Sequence, residues 1–365
     1  MTRSEEIALK LKLARRFLHA HKLSGVFLTR RNNFAWITAG GDNHVSLGQA
    51  EGTATVFLGG RKVYAIANNI EAARLLSEEL PPDFELLDFA WHEPAGREKI
   101  LRRLAKGRVA SDIPLFKFPL LSEDWNALRY SLLPSELKRY RALAQEAAVA
   151  LEAAALAVKP GMTEHEVAAD LAWLCTQWGL DPLVRLVAAD ERIRNFRHPI
   201  PTEKKIRKTC LLVLCAERRG LVAAASRLIH FGKLPRDLSR RHLAVCKVDA
   251  AMISASRVGA SFGEVFRVAQ RTYRELGFAG EWRCHHQGGP TGYATREFVA
   301  NAQEKRFIQP NQPIAWNPSI AGTKSEDTIL ATAAGPQILT FTGHWPMLKI
   351  QGSGQTILRP AILEK

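Results

Sequence analysis

The run from Leu132 to Leu180, LLPSELKRYRALAQEAAVALEAAALAVKPGMTEHEVAADLAWLCTQWGL, constrains the fold more than any other stretch. Its first half is alanine-rich, with strong helix propensity, and Ser135 is placed to cap it. Lys159-Pro160-Gly161 stops that helix, and Thr163 with Glu166 makes a capping box for the next. Nothing upstream shares this composition. The first third instead has short β-like runs, GVFLT (25–29), NFAWIT (33–38), ATVFLG (54–59) and VYAIAN (63–68), with helical patterns at 69–80 and 96–107. At 365 residues the chain exceeds what one core usually accommodates. The expectation is an α/β domain over 1–130 and a larger α+β domain over 131–365.

Within the second domain, LLVLCA (211–216) and GLVAAASRLIHF (220–231) read as strands, and residues 237–257 and 262–276 as helices. The remainder is β-rich. The N-terminus, MTRSEEIALKLKLARRFLHAHKLSG, repeats Ile7, Leu11, Ala14 and Leu18 at helical spacing, which describes an amphipathic surface helix and not a signal peptide. No apolar run approaches the roughly 20 residues that span a bilayer. The five cysteines are scattered and never in CxxC spacing, so neither a disulfide framework nor a structural zinc is expected, and a reducing cytoplasm fits best.

A formal charge of +15 raises nucleic acid as a partner. The basic residues, however, are dispersed in short pairs such as Arg30-Arg31 and Arg240-Arg241, with no aromatic-interleaved stripe, so an ordinary basic surface is the better reading. GASFG (259–263) matches a nucleophile-elbow pattern, but helix-forming residues precede it, and Ser261 with Glu264 reads as a capping box. His165-Glu166 lacks the second histidine of HExxH, because Ala169 stands there. The adjacent acids Glu326 and Asp327 lie in a strand-like run and so point to opposite faces. His285 and His286 precede a glycine pair, which suggests a close backbone approach to something.

The ordered succession of KPGMTEHEV, NFRHPIPTEKKIRKTCLLVLCA, SRLIHFG, VGASFGEVF, HHQGGPTGY, PIAWNPSIAG and SEDTILAT resembles the pita-bread superfamily of creatinase, prolidase and aminopeptidase P, the peptidase M24 fold. The resemblance covers essentially the whole chain, including NFAWITAGG near the start, and implies an α/β RNase H-like (creatinase N-terminal) domain before a pita-bread domain. Metallopeptidases of that family hold two divalent metals with two Asp, one His and two Glu. The matching positions here carry Cys215 (or Val213 under another alignment), Ala224, Gly289, Asn317 and Glu326, so only the last ligand is kept. A dinuclear site needs bridging carboxylates, and no metal or other cofactor is expected.

The resemblance then points to the metal-free creatinase and ectoine hydrolase branch. It implies a cytoplasmic homodimer with no membrane contact, acting on a small-molecule substrate, and hydrolysing a C–N bond in an amidine, guanidine or cyclic amide. His198 matches the acid/base histidine, and Glu326 the carboxylate that holds the substrate's cationic nitrogen. Asn317, Arg227, His285, His286, Arg296 and Glu297 would complete the pocket; Arg296 stands where the family has a second histidine and suits a substrate carboxylate. Cys215 reads as a small core residue, and Glu326 paired with Arg227 is the structural alternative. Two other functions compete: a non-catalytic binding module, as pita-bread domains of histone chaperones are, and an Xaa-Pro aminopeptidase or dipeptidase with atypical ligands.

Overall fold

The computed structural model describes residues 1–352 and 355–365. The chain divides into two compact units, one of residues 1–129, 133–135 and 219–221, the other of 130–132, 136–218 and 222–365.

The first unit contains α1 (Arg3–Ala20), β1 (Gly25–Arg30), α2 (Arg31–Ile37), β2 (Glu51–Gly59), β3 (Lys62–Asn68), α3 (Asn69–Arg74), β4 (Phe84–Phe89), α4 (Pro94–Leu104), β5 (Val109–Ser111) and α5 (Asp124–Ala127). Its five strands form one sheet, β4-β3-β2-β1-β5; the central three are antiparallel and the outer two parallel to their neighbours. In α1 the expected stripe, Ile7, Leu11, Ala14 and Leu18, is buried.

The segment 33–38, expected as a strand, belongs to α2 instead. Residues Asn33 to Ile37 are all buried, so no polar face exists from which to read a period. Asp112 ends β1: its carboxylate accepts from the amides of Thr29 and Arg30 and from Asn33 Nδ2, which diverts the chain into the helix.

The second unit carries α6 (Pro134–Ala157), α7 (Glu164–Gln177), β6 (Asp181–Ala189), α8 (Glu191–Asn195), β7 (Thr209–Arg218), β8 (Leu221–His230), α9 (Arg236–Ala255) and α10 (Phe262–Glu275). Then follow β9 (Gly288–Pro290), β10 (Gln312–Trp316), β11 (Ser319–Ile320), β12 (Thr323–Lys324), β13 (Asp327–Thr332), β14 (Gly335–Ile338), β15 (Met347–Gln351), β16 (Thr356–Pro360) and β17 (Leu363–Glu364). Two four-stranded sheets, β17-β8-β7-β6 and β14-β13-β10-β9, organise it. The architecture is α+β. The capping boxes at Thr163/Glu166 and Ser261/Glu264 both form. Ser135 is not a cap: α6 begins one residue earlier, at Pro134, a residue suited to a first turn, and the Ser135 hydroxyl donates to Glu6. Helices α9 and α10 bury Val245, Met252, Phe262 and Val265 in one apolar cluster with Ile314, Trp316 and Ile329 of the second sheet.

Candidate functional site

The antiparallel register of β10 and β13 decides which residues share a face. Ala315 pairs with Thr328 and Trp316 with Asp327. Because side chains alternate, Ala315 and Thr328 point one way, Trp316 and Asp327 the other. Trp316 enters the apolar cluster under α9 and donates its Nε1–H to Ser256. Ala315 packs instead with Cys215, Val222 and Ala224, while the Thr328 hydroxyl donates to Ala224 O. Continuing the register by one residue puts Asn317 opposite Glu326 on this second face.

Glu326 is 1 % exposed. Each of its oxygens meets a cation: Oε1 lies 3.1 Å from Arg296 Nη2, and Oε2 lies 2.7 Å from Lys324 Nζ while also accepting from the Ser226 hydroxyl. Burial alone would push its pKa up; Lys324, then Arg296, outweigh that and hold it below the usual carboxylate range. Three of the four lone-pair sites of the carboxylate are thus taken, so a substrate's cationic nitrogen, the partner expected for Glu326, would meet it at one remaining site beside two cations. Asn317 is 3 % exposed, its backbone N–H donates to Gln287 O, and its side-chain Oδ1 has no hydrogen-bond partner among the described residues.

Three histidines gather beside this group. His198 Nε2 lies 3.1 Å from His285 Nε2, and the ring centroids of His285 and His286 are 4.6 Å apart. His285 Nδ1 meets the Ser319 hydroxyl at 3.2 Å, and that hydroxyl also lies 3.4 Å from Arg197 Nη1. A guanidinium only donates. A hydroxyl carries two acceptor lone pairs, so Ser319 can accept from Arg197 and also from His285 Nδ1–H; in that tautomer His285 Nε2 accepts from His198 Nε2–H, and His198 Nδ1 keeps a free lone pair. His198 is the exposed end of this two-imidazole relay. Burial, then the Lys324 charge, drive His285 down to about 2; burial, then Arg296, drive His286 down to about 4. His198 is lowered by burial, then by Lys324, with Glu326 opposing. All three are neutral at neutral pH.

Of the other expected pocket residues, Arg227 does not join the cluster. It alternates with Ser226 along β8, so when Ser226 reaches Glu326 the guanidinium points away, bound to Glu152, Asp327 and Thr340 O. The alternative pairing of Glu326 with Arg227 fails for the same reason. Glu297 is half-buried and its backbone N–H donates to Pro290 O. Lys324, Ser226, Ser319 and Arg197 were missed. Lys324 had a legible signal, since i and i+2 on an extended segment share a face and it stands two residues before Glu326.

Residues 138–333 match the model of metallopeptidase family M24. The chain belongs to that family. An uncharacterized peptidase of Staphylococcus aureus is 23% identical over 214 residues, 56% of this chain and 61% of that protein, so the chain spans about three-fifths of the length of the curated relatives it matches. An Xaa-Pro dipeptidase from Bacillus anthracis superposes with a TM-score of 0.78 at 16% identity, covering 98% of this chain and 100% of its own. The prolidase from Pyrococcus horikoshii OT3 gives 0.78 at 18% identity, over 91% and 98%. The N-terminal domain of a FACT complex subunit from Cicer arietinum gives 0.72 at 11%, over 93% and 97%. These likenesses show the pita-bread fold.

A pair of divalent metals, which membership of this family implies, does not fit these residues. Cys215 is buried, with burial and then Glu326 pushing its thiol up to about 11, and Ala224 offers no donor. At Gly289 an added Cβ would lie 2.4 Å from the Phe298 carbonyl oxygen, so the backbone leaves no room for a histidine. Asn317 carries no charge. The ligand atoms of His198, His285 and His286 do lie within 4.8 Å of one another, but Lys324 and Arg296 oppose a cation there.

Proposed function

We propose that this protein is a metal-independent hydrolase of a C–N bond in a small nitrogenous compound. The observation that carries the reading is that Glu326, the one retained carboxylate, bridges two side-chain cations beside a neutral His198–His285 relay. A neutral imidazole at an exposed position can take a proton from water as water attacks, then return it to the departing nitrogen. Asn317 Oδ1, a buried acceptor without a partner, suits a substrate N–H. With Lys324 and Arg296 set against one carboxylate, the pocket keeps one positive charge, which disfavours amidinium and guanidinium substrates. Among the expected classes, an uncharged cyclic amide fits best.

The test is hydrolysis of a panel of small cyclic amides in buffer containing EDTA, with the wild type and His198→Ala. Turnover is expected with chelator present, reduced by about 10²-fold or more in the variant. Activity that appears only with added Mn, Co or Zn, or full activity in His198→Ala, would contradict the proposal.

One observation favours a second reading, a binding module. The fold likeness extends to a FACT complex subunit domain, and this chain is strongly basic at +15. In that case no panel member turns over, and His198→Ala leaves binding of the module's ligand unchanged.

A further inference from the structure

Resting on the hydrolase reading, we infer that Lys324 and Arg296 form an oxyanion-binding seat at the place where relatives of this fold hold metal cations. Both side chains are largely buried, at 5 % and 13 % exposure, and each meets a different oxygen of Glu326. That is how a carboxylate bridges two metal ions, with an ammonium and a guanidinium in their stead.

Glu326 does not exhaust either cation. The Lys324 ammonium has three donors, of which one, at 2.7 Å, is committed to Glu326. Arg296 spends Nη2 on Glu326 and Nη1 on Thr295 O, and its buried Nε has no partner among the described residues. A buried donor left unmade costs about 1–3 kcal/mol, so the site is better satisfied with an acceptor present. The neighbouring imidazoles are neutral and Arg197 is paired with Glu281, so neither cancels the surplus charge.

In the reaction this seat would act as follows. Water attacks the substrate carbonyl carbon and gives its proton to His198; the C–O bond forms while the carbonyl π pair moves onto oxygen. Lys324 and Arg296 stabilise that alkoxide, placed in advance where the charge develops. The intermediate collapses, the C–N bond breaks with its pair going to nitrogen, and His198 returns the proton there. For a cyclic amide the product is a single ring-opened molecule that carries both the carboxylic acid and the amine, with every electron pair accounted for.

Inorganic phosphate, a tetrahedral oxyanion, is a probe that needs no substrate. Calorimetric titration of the full chain should show saturable binding of one phosphate. Lys324→Met should weaken it by about tenfold or more, while Lys324→Arg retains it and the exposed control Lys117→Met changes nothing. If Lys324→Met does not fold, Arg296→Gln tests the same seat and should also weaken binding about tenfold. Absence of saturable binding, equal affinity in the folded variants, or binding only with added zinc would overturn the inference. Because phosphate is read without turnover, a failed substrate screen and a failed seat are separate results.

Discussion

At the scale of single residues, burying Glu326 is tolerable because Lys324 and Arg296 offset its desolvation, and burying Arg227 because Glu152 and Asp327 do the same for it. The two clusters sit back to back on alternating positions, which separates a site residue from a structural one. Arg227→Met should therefore destabilise the protein by about 3–5 kcal/mol, since it leaves the buried Glu152 without its cation and takes one of two guanidiniums from Asp327, which keeps Arg359, while leaving phosphate binding by the folded fraction intact. Chemical denaturation beside calorimetry checks this, and an unchanged midpoint would contradict it. The pocket histidines predict a pH dependence of known sign. His285, His286 and the buried His242 titrate near 6.5 when unfolded, but burial takes them to about 2, 4 and 4 in the fold. Below about pH 6.5 the unfolded chain binds more protons, so the stability they contribute is present above that pH and lost progressively towards about pH 4. A urea midpoint that does not fall between about pH 7.5 and about pH 5 would contradict this. His285→Gln should flatten part of the slope.

At the scale of elements, what the sequence makes legible follows from periodicity and caps. The helices α7 and α10 announce themselves by capping boxes, and β7 and β8 by bounded apolar runs. The helix α2 was not legible, because a seven-residue segment whose last five residues are all buried has no amphipathic signature and takes its form from Asp112, far along the chain. The site was legible in part for a related reason. Chain order names His198, Asn317, Arg296 and Glu326, but which lone pairs are already taken depends on cross-strand register. Gly289 illustrates this. It pairs with Ala315 of β10, and a Cβ added there would lie 2.4 Å from the Phe298 carbonyl oxygen. Gly289→Ala should cost about 1–3 kcal/mol through overpacking, read as a lower melting temperature, and Gly289→His should bind no metal. A variant as stable as the wild type would mean that the backbone yields there.

At the scale of the molecule, the order of motifs revealed the superfamily where no one motif could, because each is short and only their succession is specific. Fold does not carry activity with it. In the proposed reading, the positions that match the family's metal ligands hold a thiol, a methyl, a bare backbone, an amide and one carboxylate, and Lys324 and Arg296 stand in for the positive charge of two ions. The most direct test of that claim is metal content by mass spectrometry, on protein as purified and after incubation with Mn, Co and Zn. Only trace metal is expected in every sample. Roughly two ions per chain would contradict it and return the protein to conventional metallopeptidase chemistry.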